Sequence, residues 1–430
     1  MLRVFYWRSD HAKFMHQLDH QYGLGVLNLA KLADRARDIA GGMIELRRLI
    51  HSEPELGLQN PLTKEKILHA IDGLPVEIKH ARNCTGLAIA IRGTGKGECR
   101  RILLRADTDA LPLHEDNDLP FASTIPGHMH ACGHDGHTAM LVGAIRLLCE
   151  RRESFSGEVV CMFQPGEEGY HGARFMLEDG LLDPLPEAAF ALHLLPNAPH
   201  GVFSGRSGTI LASNDGFAIR IKGRGGHASM PHEALDPVPI ACEIALALQS
   251  FVTRRTSAFD PAVITVTQLQ ASNADNVISS EASLRGTIRA VSAETRNRLC
   301  EAVQNVSRHV CLAHDAQAEV EIIEGYPPTV CDERGVRLAR VAACEEFGPT
   351  AWQTMPTPMM GSEDFSYVLE TLPGAFVFLG AATDGTDWAC CAGLHSDRMA
   401  LDERVLALGA AWYARVTTEY LNEGWPERFG

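Results

Sequence analysis

A chain of 430 residues with 45% hydrophobic and 22% charged residues has the make-up of an ordinary soluble protein of two or three domains, which excludes a disordered polymer, a collagen-like fibre and a disulfide-dense miniprotein. Its 39 basic residues are outnumbered by 54 acidic ones, and the net charge of −15 argues against a nucleic-acid partner. Twelve scattered cysteines form no C-x-x-C pair, no run reaches the ~18 apolar residues of a membrane span, and no signal peptide is evident, so a reduced, cytoplasmic setting away from membranes is expected.

The first forty residues are weakly patterned, punctuated by Gly23, Gly25, Gly41 and Gly42, and read as a helical extension without chemistry. A helix follows over about 43–50 and stops near Ser52-Glu53-Pro54. Apolar runs at 86–91, 101–106, 158–163 and 188–192 read as short buried strands, and an apolar helix lies over about 137–149. This alternation predicts an α/β fold, a three-layer domain on a mostly parallel sheet. The pattern changes after Ser213: strand 217–222, helix 237–254, a β-branched strand 262–269, strand 281–290, helix 293–314 and strand 317–323. That β-α-β-β-α-β order predicts a ferredoxin-like α+β domain. The α/β pattern resumes near Val336 and closes on a helix over about 401–421. The expected organisation is a discontinuous catalytic domain, residues 1–212 and 326–430, interrupted by an inserted domain, residues 213–325.

Five of the 19 histidines fall between His114 and His137. Cys132 and His134, two apart on a loop entering a helix, are N/S donors suited to zinc and its neighbours, and Asp135 can orient an imidazole. In open α/β sheets ligands bind beyond the carboxyl ends of the strands. Here strand 101–106 ends in Asp107-Thr108-Asp109, strand 158–163 in the turn bearing Glu167 and Glu168, and strand 188–192 in His193. Adjacent carboxylates can divide the labour, one neutralising a metal and the other taking a proton from water. The plainer alternative is a set of solvated loop charges. His227, in the glycine-rich Lys222–Ala228 loop, can donate to a developing oxyanion, or be an idle surface imidazole. Asn276 and Arg289 can hold a substrate carboxylate, Arg289 with a bidentate grip, or be a surface amide and a solvated charge. Gly361, in the polar patch Gly361-Ser362-Glu363-Asp364-Phe365, joins them as a candidate substrate-binding position. His395 stands alone before the final helix.

Taken together, Arg105–Pro112, Met129–Asp135, Gln164–Gly169, Gly225–Ala228, Asn276–Ile278, Gly286–Arg289 and Met360–Phe365 resemble the aminoacylase and hippurate hydrolase group of metal-dependent amidohydrolases. That group includes the plant auxin-conjugate hydrolases and carboxypeptidase G-type enzymes. The resemblance covers roughly 47–411. It implies metal ligation by Cys132, His134, Glu168, His193 and His395, Glu167 as general base and Asp107 as an orienting carboxylate. It also implies an inserted domain that pairs two subunits and supplies His227. The sequence departs from the group at Ser279, where a proline is usual, at Tyr170-His171, where glycine is usual, in the Trp388–Ala392 stretch and in the N-terminal forty residues.

The expected function is hydrolysis of a C–N bond, foremost the amide of an N-acyl or N-aroyl amino acid, by metal-activated water. Five ligands exceed one tetrahedral site, so two divalent transition metals per subunit are expected, zinc, manganese or cobalt. Expected partners are a small carboxylate-bearing substrate and a second copy of the chain, with no nucleic acid and no membrane. Hydrolytic deamination of an activated aromatic amine, a catalytically silent binding protein of the same fold and a structural assembly protein are the alternatives.

Overall fold

Continuous apolar runs are stable as strands where both faces are covered. Glu158–Gln164, Arg101–Asp107, Ala188–Leu195 and Gly374–Gly380 lie side by side in that order, all parallel, at the centre of an eight-stranded sheet in a computed structural model. The structure describes residues 32–272, 274–383 and 385–426. Leu87–Arg92 runs antiparallel to Glu158–Gln164 and carries Glu77–His80 at the edge. On the other side Phe203–Gly205 runs antiparallel to Gly374–Gly380 and carries Trp352–Thr354 in parallel. The sheet is therefore parallel in the middle, where the site residues emerge, and antiparallel towards its margins.

Helices His134–Glu150 and Val405–Glu423 are buried on nearly all sides. They pack on each other and on Arg101–Asp107, with Ala40–Ser52 and Glu333–Phe347 outside them. The first of these helices begins at His134 rather than near residue 137, because Gly133 takes a left-handed φ of 86° and turns the chain straight into it. The last begins at Val405, since 401–402 are irregular and 403–404 form a turn. The expected N-terminal extension falls partly outside the described residues. From Leu32 onwards it is two packed helices, Leu32–Asp38 and Ala40–Ser52, burying Leu32, Ala36, Met43, Leu46 and Ile50. The glycine pair at 41 and 42 masked that spacing.

The strands Ala262–Gln270, Glu281–Ala290, Asn214–Lys222 and Gln317–Tyr326 form a second, antiparallel sheet in that order. Helices Pro237–Arg255 and Ala293–Ala313 cover one face, each capped by a side chain, Asp236 accepting from Val238 N and Ser292 from Thr295 N. Phe217, Ile219, Ile244, Leu284, Leu299 and Val303 give this unit its own core, separate from that of the large sheet. It is the ferredoxin-like arrangement. No helix among the described residues is long and apolar enough to cross a membrane. All the cysteines are free thiols.

Candidate metal centre

The carboxyl ends of the central strands bring the donors together. The ligand atoms of Cys132, His134 and His193 lie within 4.8 Å of one another, as do those of Cys132, Glu168 and His395, and of His134, Glu167 and Glu168. The imidazoles are held from behind. His134 Nδ1 donates to Asp109 O at 2.8 Å and His193 Nδ1 to Leu194 O at 2.8 Å. A carbonyl only accepts, so each ring keeps its proton on Nδ1 and turns the Nε2 lone pair inwards. His134 Nε2 is buried with no hydrogen-bond partner, and His193 Nε2 faces Cys132 Sγ at 3.5 Å. His395 enters from the loop before the last helix, with a left-handed φ of 63°, its N–H on Ala131 O and its Nε2 3.2 Å from Glu168 Oε1. His137 also lies nearby, but Nδ1 donates to Asp107 and Nε2 accepts from Leu194 N–H. Both nitrogens are used, which leaves it no lone pair for a metal.

Behind the donors is a buried charge hub. Arg105, 2% exposed, bonds Asp107 at 2.7 Å, Glu363 at 2.8 Å, Asp364 at 3.0 Å and the Gln164 amide oxygen at 2.9 Å. Asp107 spans from this guanidinium to His137, with its second oxygen 3.5 Å from His134 Nε2. Arg105 and the histidines outweigh its burial and hold its carboxyl well below the usual range. Asp135 does orient an imidazole, but that of His51 rather than a candidate ligand: its Oδ2 accepts from Arg47 and faces His51 Nδ1, both at 2.7 Å.

Glu167 and Glu168 occupy a turn whose backbone is fixed at both ends. Asp109 takes Glu167 N–H on one oxygen at 2.9 Å and Glu168 N–H on the other at 3.0 Å. Gly172 N–H closes the turn on Gly166 O at 3.0 Å. A Cβ at Gly172 would lie 1.7 Å from Pro165 O, which has nowhere to go. Gly172→Ala is expected to displace the turn, lower turnover by roughly 100-fold and lower the unfolding midpoint as well; steady-state kinetics beside thermal unfolding checks this.

A cavity of about 450 Å³ opens on Cys132, Glu167, Glu168, His193 and His395. Its other wall carries Asn214, Arg289, Tyr326, Met359 and Gly361. Arg289 is half-buried, donates to Met360 O at 2.9 Å, and makes no ion pair among the described contacts; burial pushes its pKa down. His227 and Asn276 are not part of this lining. His227 pairs with Val277 in a two-stranded ribbon, Gly226–His227 with Val277–Ile278, and Asn276, in the turn just before it, accepts from Ala228 N–H at 3.1 Å; both residues are exposed. His227 Nδ1 accepts from Ser229 N–H at 3.2 Å, so the neutral ring presents an Nε2 proton outwards.

The donor set fits a metal pair. Thiolate, imidazole and carboxylate in one buried cluster suit zinc, and manganese or cobalt also take the last two. Arg105 pairs with Asp107, Glu363 and Asp364, and Glu167 and Glu168 stand close by without an ion pair to it, so carboxylates outnumber the guanidinium at this cluster. Burial and the neighbouring Glu363, Glu168 and Asp364 push Glu167 well above the usual carboxylate range. Burial lowers His134, but Asp107 and Asp109 outweigh it and hold the ring at about 10. Cations in place of those protons would relieve both.

Fold and site together define a metal-dependent hydrolase. Residues 103–419 match the family described as Peptidase family M20/M25/M40, and the chain belongs to that family. It is 37% identical to IAA-amino acid hydrolase ILR1-like 2 of Arabidopsis thaliana, over 90% of this chain and 87% of that one. It is 37% identical to N-acetylcysteine deacetylase of Bacillus subtilis, over 87% of this chain and 95% of that one. Among solved structures, a Bacillus subtilis protein described as a dinuclear metal-binding peptidase of the M20 family superposes with a TM-score of 0.77 at 33% identity, covering 90% of this chain and 99% of the other.

Sequence reasoning missed Arg105, His137 and Tyr326. Arg105 and His137 left a signal, a charge inside an apolar strand and a histidine on an apolar helix. Tyr326 left none.

Proposed function

We propose that the chain hydrolyses the amide bond of N-acyl amino acids, with two divalent cations held by Cys132, His134, Glu168, His193 and His395. One observation carries this reading. The inward-facing donors share a cavity with Glu167 and with Arg289, a guanidinium with no carboxylate partner among the described residues. The printed names of the relatives, an amino acid conjugate hydrolase and a deacetylase, support it.

When bound, the cations lower the pKa of water towards ~7 and polarise the amide carbonyl. Arg289 takes the substrate carboxylate and sets the scissile bond against the donors, with Gly361 as a further contact in the cavity and Asn276 reaching it from a second copy of the chain. Glu167, whose surroundings make it a strong base, removes a proton from the attacking water and returns it to the leaving nitrogen. Asp107 keeps His137 and His134 oriented. His227 donates through Nε2 to the oxyanion, from a second copy of the chain. Exposed apolar side chains on the inserted unit, Phe259 at 97% and Leu246 at 72%, are consistent with such pairing.

N-acetyl, N-benzoyl and N-(indol-3-ylacetyl) amino acids, assayed by released amine, test the reading. Release of ammonia from aromatic amines instead would overturn it in favour of deamination. Arg289→Met is expected to raise KM for the carboxylate-bearing substrates by roughly 10–100-fold, the worth of a charge-assisted hydrogen bond, and to leave the corresponding amino acid amides almost unaffected. Equal loss on both kinds of substrate would remove Arg289 from the role.

A further inference from the structure

Glu167 and Glu168 lie on a turn of the large domain, yet one of the side chains that holds this turn arrives from the end of the inserted unit's last strand, at the crossing between the two. Tyr326 is the last residue of strand Gln317–Tyr326 and pairs with Asn214, where the chain passes from one core to the other. The phenol is 4% exposed. Its hydroxyl donates to Glu167 O at 2.5 Å and accepts from Gly169 N–H at 2.7 Å. Both bonding positions of the oxygen are thus spent on the residues that flank Glu168.

The ring is fixed as firmly as the hydroxyl. His171 stands edge-on to it at 5.0 Å and Tyr367 at 6.1 Å. His171 Nδ1 in turn meets the Tyr367 hydroxyl at 2.9 Å, and that hydroxyl reaches Gly325 O at 3.2 Å. The crossing itself is clamped. Asp215 accepts from Arg296 at 2.7 and 2.8 Å and from Gly325 N–H at 3.1 Å. Gly325 lies so close to Asn214 O that a Cβ there would fall 1.4 Å from it. The position of the inserted unit is therefore relayed through one phenol to the backbone that carries the base.

We infer that Tyr326 is a positioning residue for hydrolysis, bracing the Glu167–Gly169 turn from the crossing between the two units. The inference rests on Glu167 being the general base. The phenol transfers no proton; it fixes where the Glu167 carboxylate points. Its loss therefore falls on kcat rather than on KM.

The test is Tyr326→Phe, which keeps the ring and its neighbours and deletes only the hydroxyl. With the fastest-hydrolysed N-acyl amino acid of the panel, kcat is expected to fall roughly 10–100-fold with KM within about three-fold, the scale of a misplacement near 1 Å. Tyr420→Phe, which removes a buried phenol hydroxyl on the last helix, away from the turn and its brace, is expected to stay within about three-fold of the parent. Unchanged kcat in Tyr326→Phe, or an equal loss in Tyr420→Phe, overturns the brace. Amide hydrogen exchange reads the same bond a second way. Gly169 N–H also donates to Glu167 O at 2.7 Å, so the readout is a difference: it is expected to exchange at least roughly 10-fold faster in Tyr326→Phe than in the parent, and an unchanged rate overturns the inference. Glu167→Gln measured alongside separates the two failures. If it stays active the base assignment falls, and if it is inactive while Tyr326→Phe is fully active only the brace falls.

Discussion

Glu167→Gln is expected to lower kcat by about 10²–10⁴-fold while the protein keeps its metal and its fold, because general acid–base catalysis is worth that much and the amide cannot accept the proton. The expectation follows from position. Glu167 is buried, contributes an oxygen to a cluster with His134 and Glu168, and is not one of the five donors assigned to the cations. Glutamine preserves shape and the hydrogen bond that Glu167 accepts from Asp364 N–H at 3.4 Å. Metal content by mass spectrometry and kcat by released amine are measured on the same preparation. Lost metal would make Glu167 a ligand, and retained turnover would remove it as the base.

Arg105→Met is the second large effect. Methionine matches much of the volume but leaves Asp107, Glu363 and Asp364 buried without their common cation. Breaking a buried ion pair on one side costs about 3–5 kcal/mol, read as a shift in the urea unfolding curve. The pH dependence has a definite sign. Glu363 and Asp364 are raised by burial, with Arg105 the main force lowering them. Without Arg105 they rise further above their unfolded values, so the variant loses stability as pH climbs through and beyond the unfolded carboxylate range. The deficit should therefore be smaller at pH 5 than at pH 8. A deficit independent of pH would mean that packing, not charge, is what Arg105 supplies.

Much of this architecture is legible in the sequence because burial leaves a pattern. Three of the four central strands stand out as apolar runs, and in a parallel sheet their carboxyl ends must share one rim, so the sequence alone makes Asp107, Glu167, Glu168 and His193 neighbours; the fourth, Gly374–Gly380, is as apolar but carries no ionisable residue to draw notice. Cys132 and His134 are legible through donor chemistry and spacing. His395 is not, since a single histidine in a loop has no local mark, and only its likeness to a known motif order points to it. The hub is half legible. Arg105 inside Ile102-Leu103-Leu104 is a charge that demands a buried partner, but Glu363 lies 258 positions away, and no local rule relates them. Tyr326 is invisible for the same reason, as is the tie of His51 and Arg47 to Asp135. Such pairings are decided by which elements the fold brings together, whereas propensity and periodicity report only on each element alone. His227 and Asn276 are a third case. The sequence groups them with the site, yet within one chain they are exposed and lie outside the cavity lining, and only the proposed pairing with a second copy gives them a part in the chemistry.

The proposed centre joins a pair of cations to one general base. Its most direct test is to strip the protein with a chelator, return zinc, manganese or cobalt in steps, and follow bound metal and amine release from an N-acyl amino acid together. Activity that is absent in the stripped protein and reaches its plateau at two ions per chain is the predicted result. Full activity without metal, or a plateau at one ion per chain, would contradict it.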